Sequence, residues 1–246
     1  MKAKLVIVLA ALTIVAIATS AQATLVKIGT ATYGGSGYNL IWDDNNNGNS
    51  VIWLDYSAPS TYWSDQMAWA AGLDGALTCN LDSGYSVVWS DSAWRLPCAG
   101  TAPTYGCCAA TQEMGHLYYD ELGLEGGYSG DGVTAPDLSV GIFDNLELAG
   151  YWTCTEDPID YGFFVVDAAW AFFTQISRGV PYYDMGYGFQ DIDANGSGLF
   201  AVQHSALAVR SGEVTDSSSS SVIPEPTTFA LMGMGIVALA VRRRKE

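Results

Sequence analysis

The run DIDANGSG at 191–198 places oxygen-bearing side chains at Asp191, Asp193 and Asn195, with Gly196 at the bend. Carboxylate and amide oxygens at alternate positions before a glycine suit a hard cation, and calcium is the one this spacing fits. The twelfth position of such a loop is Val202, so the closing bidentate acid is missing. Asp43, Asn45, Asn47 and Gly48 form a weaker copy, and both runs also read as polar β-turns. Glu113 and His116, three apart on a predicted helix, could reach one metal. His204 is the one other histidine, which rules out a histidine-rich centre. Arg95, a cation inside an apolar run, has to be paired and hydrogen-bonded, and reads as a structural ion pair or backbone clamp. Arg210, near the end of the last predicted strand, reads the same way. The chain has no Gly-x-Ser-x-Gly elbow, phosphate-binding glycine loop or His-Glu-x-x-His helix. Acids are plentiful, yet nothing nominates a glycosidase-like pair among them.

The cysteines are Cys79, Cys98, Cys107, Cys108 and Cys154, an odd number that leaves one thiol over. The turn-rich PCAGTAPTYGCC suggests that Cys98 closes a short loop with Cys107 or Cys108, although connectivity is not fixed by spacing. A zinc site from these three with His116 matches no familiar pattern.

The ends of the chain say where it goes. Lys2 and Lys4 precede an apolar run from Leu5 to Ile17, and Ala21 and Ala23 offer small residues for cleavage before Thr24. That is the pattern of a secretory signal peptide spanning 1–23, too short to cross a bilayer comfortably. The next 200 residues, to Ile223, suffice for one domain with a substantial core. They hold four of the ten Lys and Arg and 24 of the 26 acids, a formal charge of −20. Such a surface disfavours nucleic acid and anionic lipid, and it suits solubility outside the cell. An oxidising compartment permits disulfides there.

Within the exported part, YNLIWDD and SVIWLDY are β-rich runs around the turn DDNNNGN, a hairpin pattern. A first helix is expected in STYWSDQMAWAAGLDGAL, with Ser64 as its cap and Met67, Ala70, Ala71 and Leu73 or Asp74 at helical spacing. A second is expected in TQEMGHLYYDELG, capped by Thr111 and stopped by Gly123. Met114, Leu117, Tyr118 and Leu122 would form its buried stripe, with Asp120 and Glu121 in water. Aromatic and β-branched runs from Leu148 onward read as a late antiparallel sheet. Two helices and strands at both ends give an α+β domain over 24–214. A Ser-rich linker at 215–223 follows.

After the linker come Pro224-Glu225-Pro226, fifteen mostly apolar residues from Thr227 to Val241, and RRRKE. This order at the extreme C-terminus, 224–246, resembles the PEP-CTERM sorting signal. The resemblance implies a bacterial envelope, a temporary inner-membrane anchor, and an exosortase that removes the tail. Signal peptidase is the second processing partner. Families with this tail are linked to exopolysaccharide and biofilm production.

The domain itself resembles the Lcl C-terminal domain family, catalogued as a domain of unknown function. The likeness rests on Trp94-Arg95-Leu96-Pro97, the Glu113-bearing helix, Tyr-Trp152-Thr-Cys-Thr, AWAFFTQISRG and the late Val-Arg210. Cys154 stands where that family usually has a small residue. The resemblance implies a C-type lectin-like fold, related to formylglycine-generating enzymes. The expectation is a non-enzymatic surface or biofilm-matrix protein binding extracellular polysaccharide, with calcium as the candidate cofactor. Tyr and Trp around PYYDMGY at 181–187 would line the sugar site. The alternatives are a secreted enzyme acting on glycans or related to the formylglycine-generating enzymes, and a structural matrix protein without a ligand.

Overall fold

The computed structural model describes residues 24–217, apart from 108–109, 128–134, 140, 158, 161–164, 167, 176, 179–183, 186–187 and 195–201. The signal segment, the Pro224-Glu225-Pro226 tail, Cys108, Asn195 and most of 181–187 lie outside the described residues.

Three long strands open the domain: β1 (Leu25–Tyr33), β2 (Ser36–Asn46) and β3 (Asn49–Thr61), each antiparallel to the next. The β2–β3 turn is set by local chemistry. Asn46 pairs with Asn49, and the two residues between them, Asn47 and Gly48, have φ of 52° and 84°. Paired positive φ values define the hairpin turn whose twist matches the strands, and Asn-Gly is its favoured sequence. The weaker calcium copy is therefore a hairpin turn, with Asp43 fully buried beneath it.

Helix α1 (Trp63–Ala76) follows, then β4 (Thr78–Leu81) and β5 (Tyr85–Trp89). Ser64 does not cap α1. The cap position is Tyr62, with no side-chain bond to the first turn. Its buried face is Gln66, Ala70 and Leu73, and Ala71 is exposed. The second helix is one turn long, α2 (Glu113–His116), and widens directly into a π-helical turn over Leu117–Glu121. Gln112, not Thr111, occupies its cap position.

The later strands are β6 (Gly150–Glu156), β7 (Ile159–Asp160), β8 (Val165–Val166), β9 (Ala168–Phe173), β10 (Ser177–Arg178), β11 (Asp184–Met185), β12 (Phe189–Ala194) and β13 (His204–Asp216). The early and late strands form one sheet, in the order β12-β9-β6-β13-β3-β2-β1-β4, with β5 also on β13. β13 joins the halves: Val209 and Arg210 pair antiparallel with Trp53 and Ile52, and Ser205 pairs parallel with Tyr151. β7–β8 and β10–β11 are small separate ladders. The domain is thus mostly β-sheet with two short helices, α+β in class.

Strand alternation decides what each face carries. Val51 and Trp53 of β3 pack with Met114, Leu117, Tyr118, Tyr151 and Phe172. Ile52 and Leu54 point the other way, to Leu73 of α1 and Trp94. The two helices therefore cover opposite faces, and β3 reads as an unbroken apolar run because both of its faces are buried. Each such side chain contributes about 1.5–3 kcal/mol of transfer free energy.

Tyr151 ties this core to the loop before it. Its hydroxyl donates to Glu147 O at 3.0 Å, accepts Glu147 N–H at 2.8 Å and shares a hydrogen bond with Ser57 Oγ at 2.8 Å. Burial pushes the phenol up to about 12. The unfolded chain ionises near pH 10, so above that it binds fewer protons than the folded chain, and stability falls as pH rises. We expect a loss of about 2–3 kcal/mol between about pH 10 and 12, read from urea midpoints. Tyr151→Phe should flatten that part of the profile; an unchanged slope in the variant would assign the alkaline loss to other groups.

Candidate functional site

An open depression of about 350 Å³ lies between β1, β3 and the start of α1, and Tyr33, Tyr56, Thr61, Asp65, Gln66 and Trp69 are among its lining residues. Its aromatic wall is built as a unit. Trp69 Nε1 donates to Tyr33 Oη at 3.2 Å, and the Tyr33 and Tyr56 rings meet edge-on with centroids 5.3 Å apart. Tyr38 backs Tyr56 at 4.8 Å. Burial, with the neighbouring phenols Tyr33 and Tyr38, holds Tyr56 above the ordinary phenol value, so it stays neutral. Gln66 is fixed at the floor by donating to Pro59 O and His204 O. Asp65 and Thr61, bonded to each other at 3.1 Å, stand at the exposed rim. The rings are half-buried, and the arrangement offers flat apolar surface beside fixed hydrogen-bonding groups, which is what an amphipathic ligand requires.

The second assembly is a clasp around α2. Arg95 Nη1 and Nη2 each donate to one oxygen of Glu113 at 2.7 Å. Glu113 Oε2 also accepts Cys98 N–H at 2.6 Å. Arg95 Nε reaches Asp91 Oδ2 at 3.3 Å, which also accepts Ser211 N–H. Arg210 donates to the carbonyls of Asp91 and Ser92 and to Asp74, and lies 4.6 Å over the Trp89 ring. Trp94, Leu96, Pro97 and Trp152 are buried. These residues hold the loop before α2 against β13 and use up the charges of both arginines.

Glu113 is turned toward Arg95, so Glu113 and His116 do not share one metal. His116 instead faces Asp43 of β2 and Glu121 of the π turn: one ligand atom from each lies within 4.8 Å of the others. Glu121 was expected in water, yet its side chain is 3 % exposed. The widened turn brings residue i+5 back over residue i, and Leu122 N–H accordingly bonds Leu117 O. An α-helical pattern cannot show this.

The cysteines also differ from expectation. Cys98 is joined to Cys154, 56 residues away, and not to Cys107 or Cys108. The backbone explains why: Cys154 N–H donates to Pro97 O, and Ala99 N–H to Thr155 Oγ1, so the loop after Trp94 runs along β6. With Cys98 in a disulfide, the zinc reading with His116 is also removed. Cys79 is an exposed free thiol on β4.

Asp191 and Asp193 lie on β12, not in a turn. Asp193 Oδ2 is 2.7 Å from His204 Nε2, and Asp191 is half-buried, with burial raising its carboxyl above the usual range. Thr24 stands just before β1, its N–H donating to Asp44 Oδ1 at 3.0 Å. The aromatic depression was missed because its rings come from three elements. The abundance of Tyr and Trp was the available signal, and it does not say which rings meet.

Residues 222–245 match the PEP-CTERM protein-sorting motif. The chain is an exosortase substrate. The motif marks an exported protein that is anchored transiently in the membrane before sorting. No curated protein and no solved structure shows significant similarity to the chain.

Proposed function

We propose that the exported domain is a non-enzymatic surface or biofilm-matrix protein that binds extracellular polysaccharide, released by signal peptidase at Ala23–Thr24 and processed by the exosortase. The supporting observation is the depression walled by Tyr33, Tyr56 and Trp69 with Asp65 at its rim. Aromatic faces stack on the apolar faces of sugar rings, while carboxylate and hydroxyl groups take the sugar hydroxyls. We assign the domain to the Lcl C-terminal type, with a C-type lectin-like fold, on its Trp94-Arg95-Leu96-Pro97 and Glu113 pattern. A glycan-cleaving enzyme would need two carboxylates facing its substrate, and Asp65 is the one carboxylate among the residues lining this depression.

The test is saturable binding of the full-length chain, in mild detergent, to polysaccharide from its own host. Trp69→Ala and Tyr33→Ala should each weaken binding roughly tenfold or more, the scale of a buried aromatic anchor. Absence of saturable binding, or binding indifferent to both substitutions, would overturn the proposal.

A further inference from the structure

A buried cluster outside that depression has the composition of a metal centre. Asp43 is fully buried, and its Oδ2 accepts hydrogen bonds from Asn46 Nδ2 at 2.8 Å and Trp53 Nε1 at 3.3 Å. The His116 side chain is 9 % exposed and that of Glu121 3 %. Neither ring nitrogen of His116 makes a hydrogen bond of acceptable geometry. Asp120 Oδ2 and Glu121 Oε1 nevertheless lie 3.0 and 3.3 Å from Nδ1 and Nε2. The ring is thus surrounded by oxygens that it does not meet along hydrogen-bond directions. A cation joining these two carboxylates to the imidazole would offset the cost of burying them.

We infer that Asp43, His116 and Glu121 bind one first-row divalent cation, zinc or manganese in class. The donor set decides this: an imidazole nitrogen with two carboxylate oxygens suits borderline cations, whereas calcium takes oxygens alone. Bonds of about 2.0–2.2 Å would hold the ligand atoms roughly 3–4.4 Å apart, somewhat closer than the 4.8 Å within which they lie. The surroundings are those of a built site. Asn46 and Trp53 fix the Asp43 carboxylate, and Asp120, half exposed, lies 3.0 Å from Nδ1. The π turn is what makes it, since it stacks Glu121 on His116. The cation would fasten the β2–β3 hairpin to the C-terminal side of α2, whose N-terminal side the Arg95–Glu113 clasp already holds.

The experiment strips the full-length chain in detergent with chelator, then titrates it with Zn(II) and, as a paramagnetic probe, Mn(II). One tightly held Zn(II) per chain is expected, undisplaced by excess Ca(II). His116→Gln and Glu121→Gln should each weaken it at least tenfold. Mn(II) should broaden the ring resonances of His116 and spare those of His204, a readout that needs no substitution. No retained Zn(II), displacement by Ca(II), binding kept in both variants, or broadening of His204 alone would each overturn the inference; the first would leave His116 as an ion-paired histidine. Polysaccharide binding is read separately, so either proposal can fail without the other.

Discussion

Replacing Cys98 or Cys154 with serine is expected to lower the unfolding free energy by about 4 kcal/mol, the chain-entropy value for a closed loop of this length. The bridge spans 56 residues of sequence, and in the oxidised unfolded chain it keeps positions 98 and 154 joined and closes that loop. Once it is cut, the unfolded ensemble expands, so the urea midpoint should fall while the slope m rises. The folded contacts on either side survive as backbone hydrogen bonds, Cys154 N–H to Pro97 O at 2.8 Å and Ala99 N–H to Thr155 Oγ1 at 3.0 Å. The effect is therefore chiefly on the unfolded state. Cys79→Ser is the control: that thiol is exposed and unbridged, and its loss should change stability by less than about 0.5 kcal/mol. A non-reducing peptide map in which Cys98 is joined to Cys107 or Cys108, or a Cys154→Ser midpoint equal to that of the wild type, would refute the pairing.

How far this molecule could be read from its sequence depended on the distance over which each feature is decided. The β2–β3 hairpin is local: Asn47 and Gly48 alone supply the two positive φ values, and the apolar run of β3 announces its burial. The existence of α1 is local too, though Ser64 lost the cap to Tyr62 because the chain enters the helix from β3 and not from a free loop. That Arg95 needed a partner followed from its setting in an apolar run. That the partner is Glu113 did not, because the two meet only once the loop has been laid along β13 and β6. The same distance hid the Cys98–Cys154 bridge behind a plausible short loop. Glu121 was misplaced for another reason: one extra residue in a helical turn rotates everything after it, and no side-chain pattern signals the insertion. Local rules hold until a long-range contact outbids them.

Glu113→Ala should cost about 3 kcal/mol, toward the lower end for breaking a buried ion pair, because the Arg95 side chain keeps 28 % of its exposure. The loss has two parts. The guanidinium forfeits both charge-assisted bonds at 2.7 Å, and Cys98 N–H is left without its acceptor. Asp91 remains on Nε as partial compensation. Arg95→Lys should recover little, since one ammonium cannot make the two-pronged contact. A double-mutant cycle with Arg95→Met and Glu113→Gln separates pair from context: the double variant should be destabilised by less than the sum of the singles, because each single leaves one charge of the pair behind and the double leaves neither. Additivity within about 0.5 kcal/mol would mean the pair contributes nothing specific. The pH dependence gives an independent check. Burial alone would raise the Asp91 carboxyl, but hydrogen bonds from the Ser211 backbone and side chain, together with Arg95, hold it below its ordinary value. The folded state therefore releases this proton at lower pH than the unfolded state does. Its contribution is complete above about pH 4 and is lost as pH falls through the folded value. Removing Arg95 takes away part of what depresses Asp91, so Arg95→Met should soften the acid side of the stability profile. Glu113→Ala leaves the Asp91 bonds in place and should preserve it. The two variants, alike in breaking the same pair, are thus told apart by their behaviour in acid.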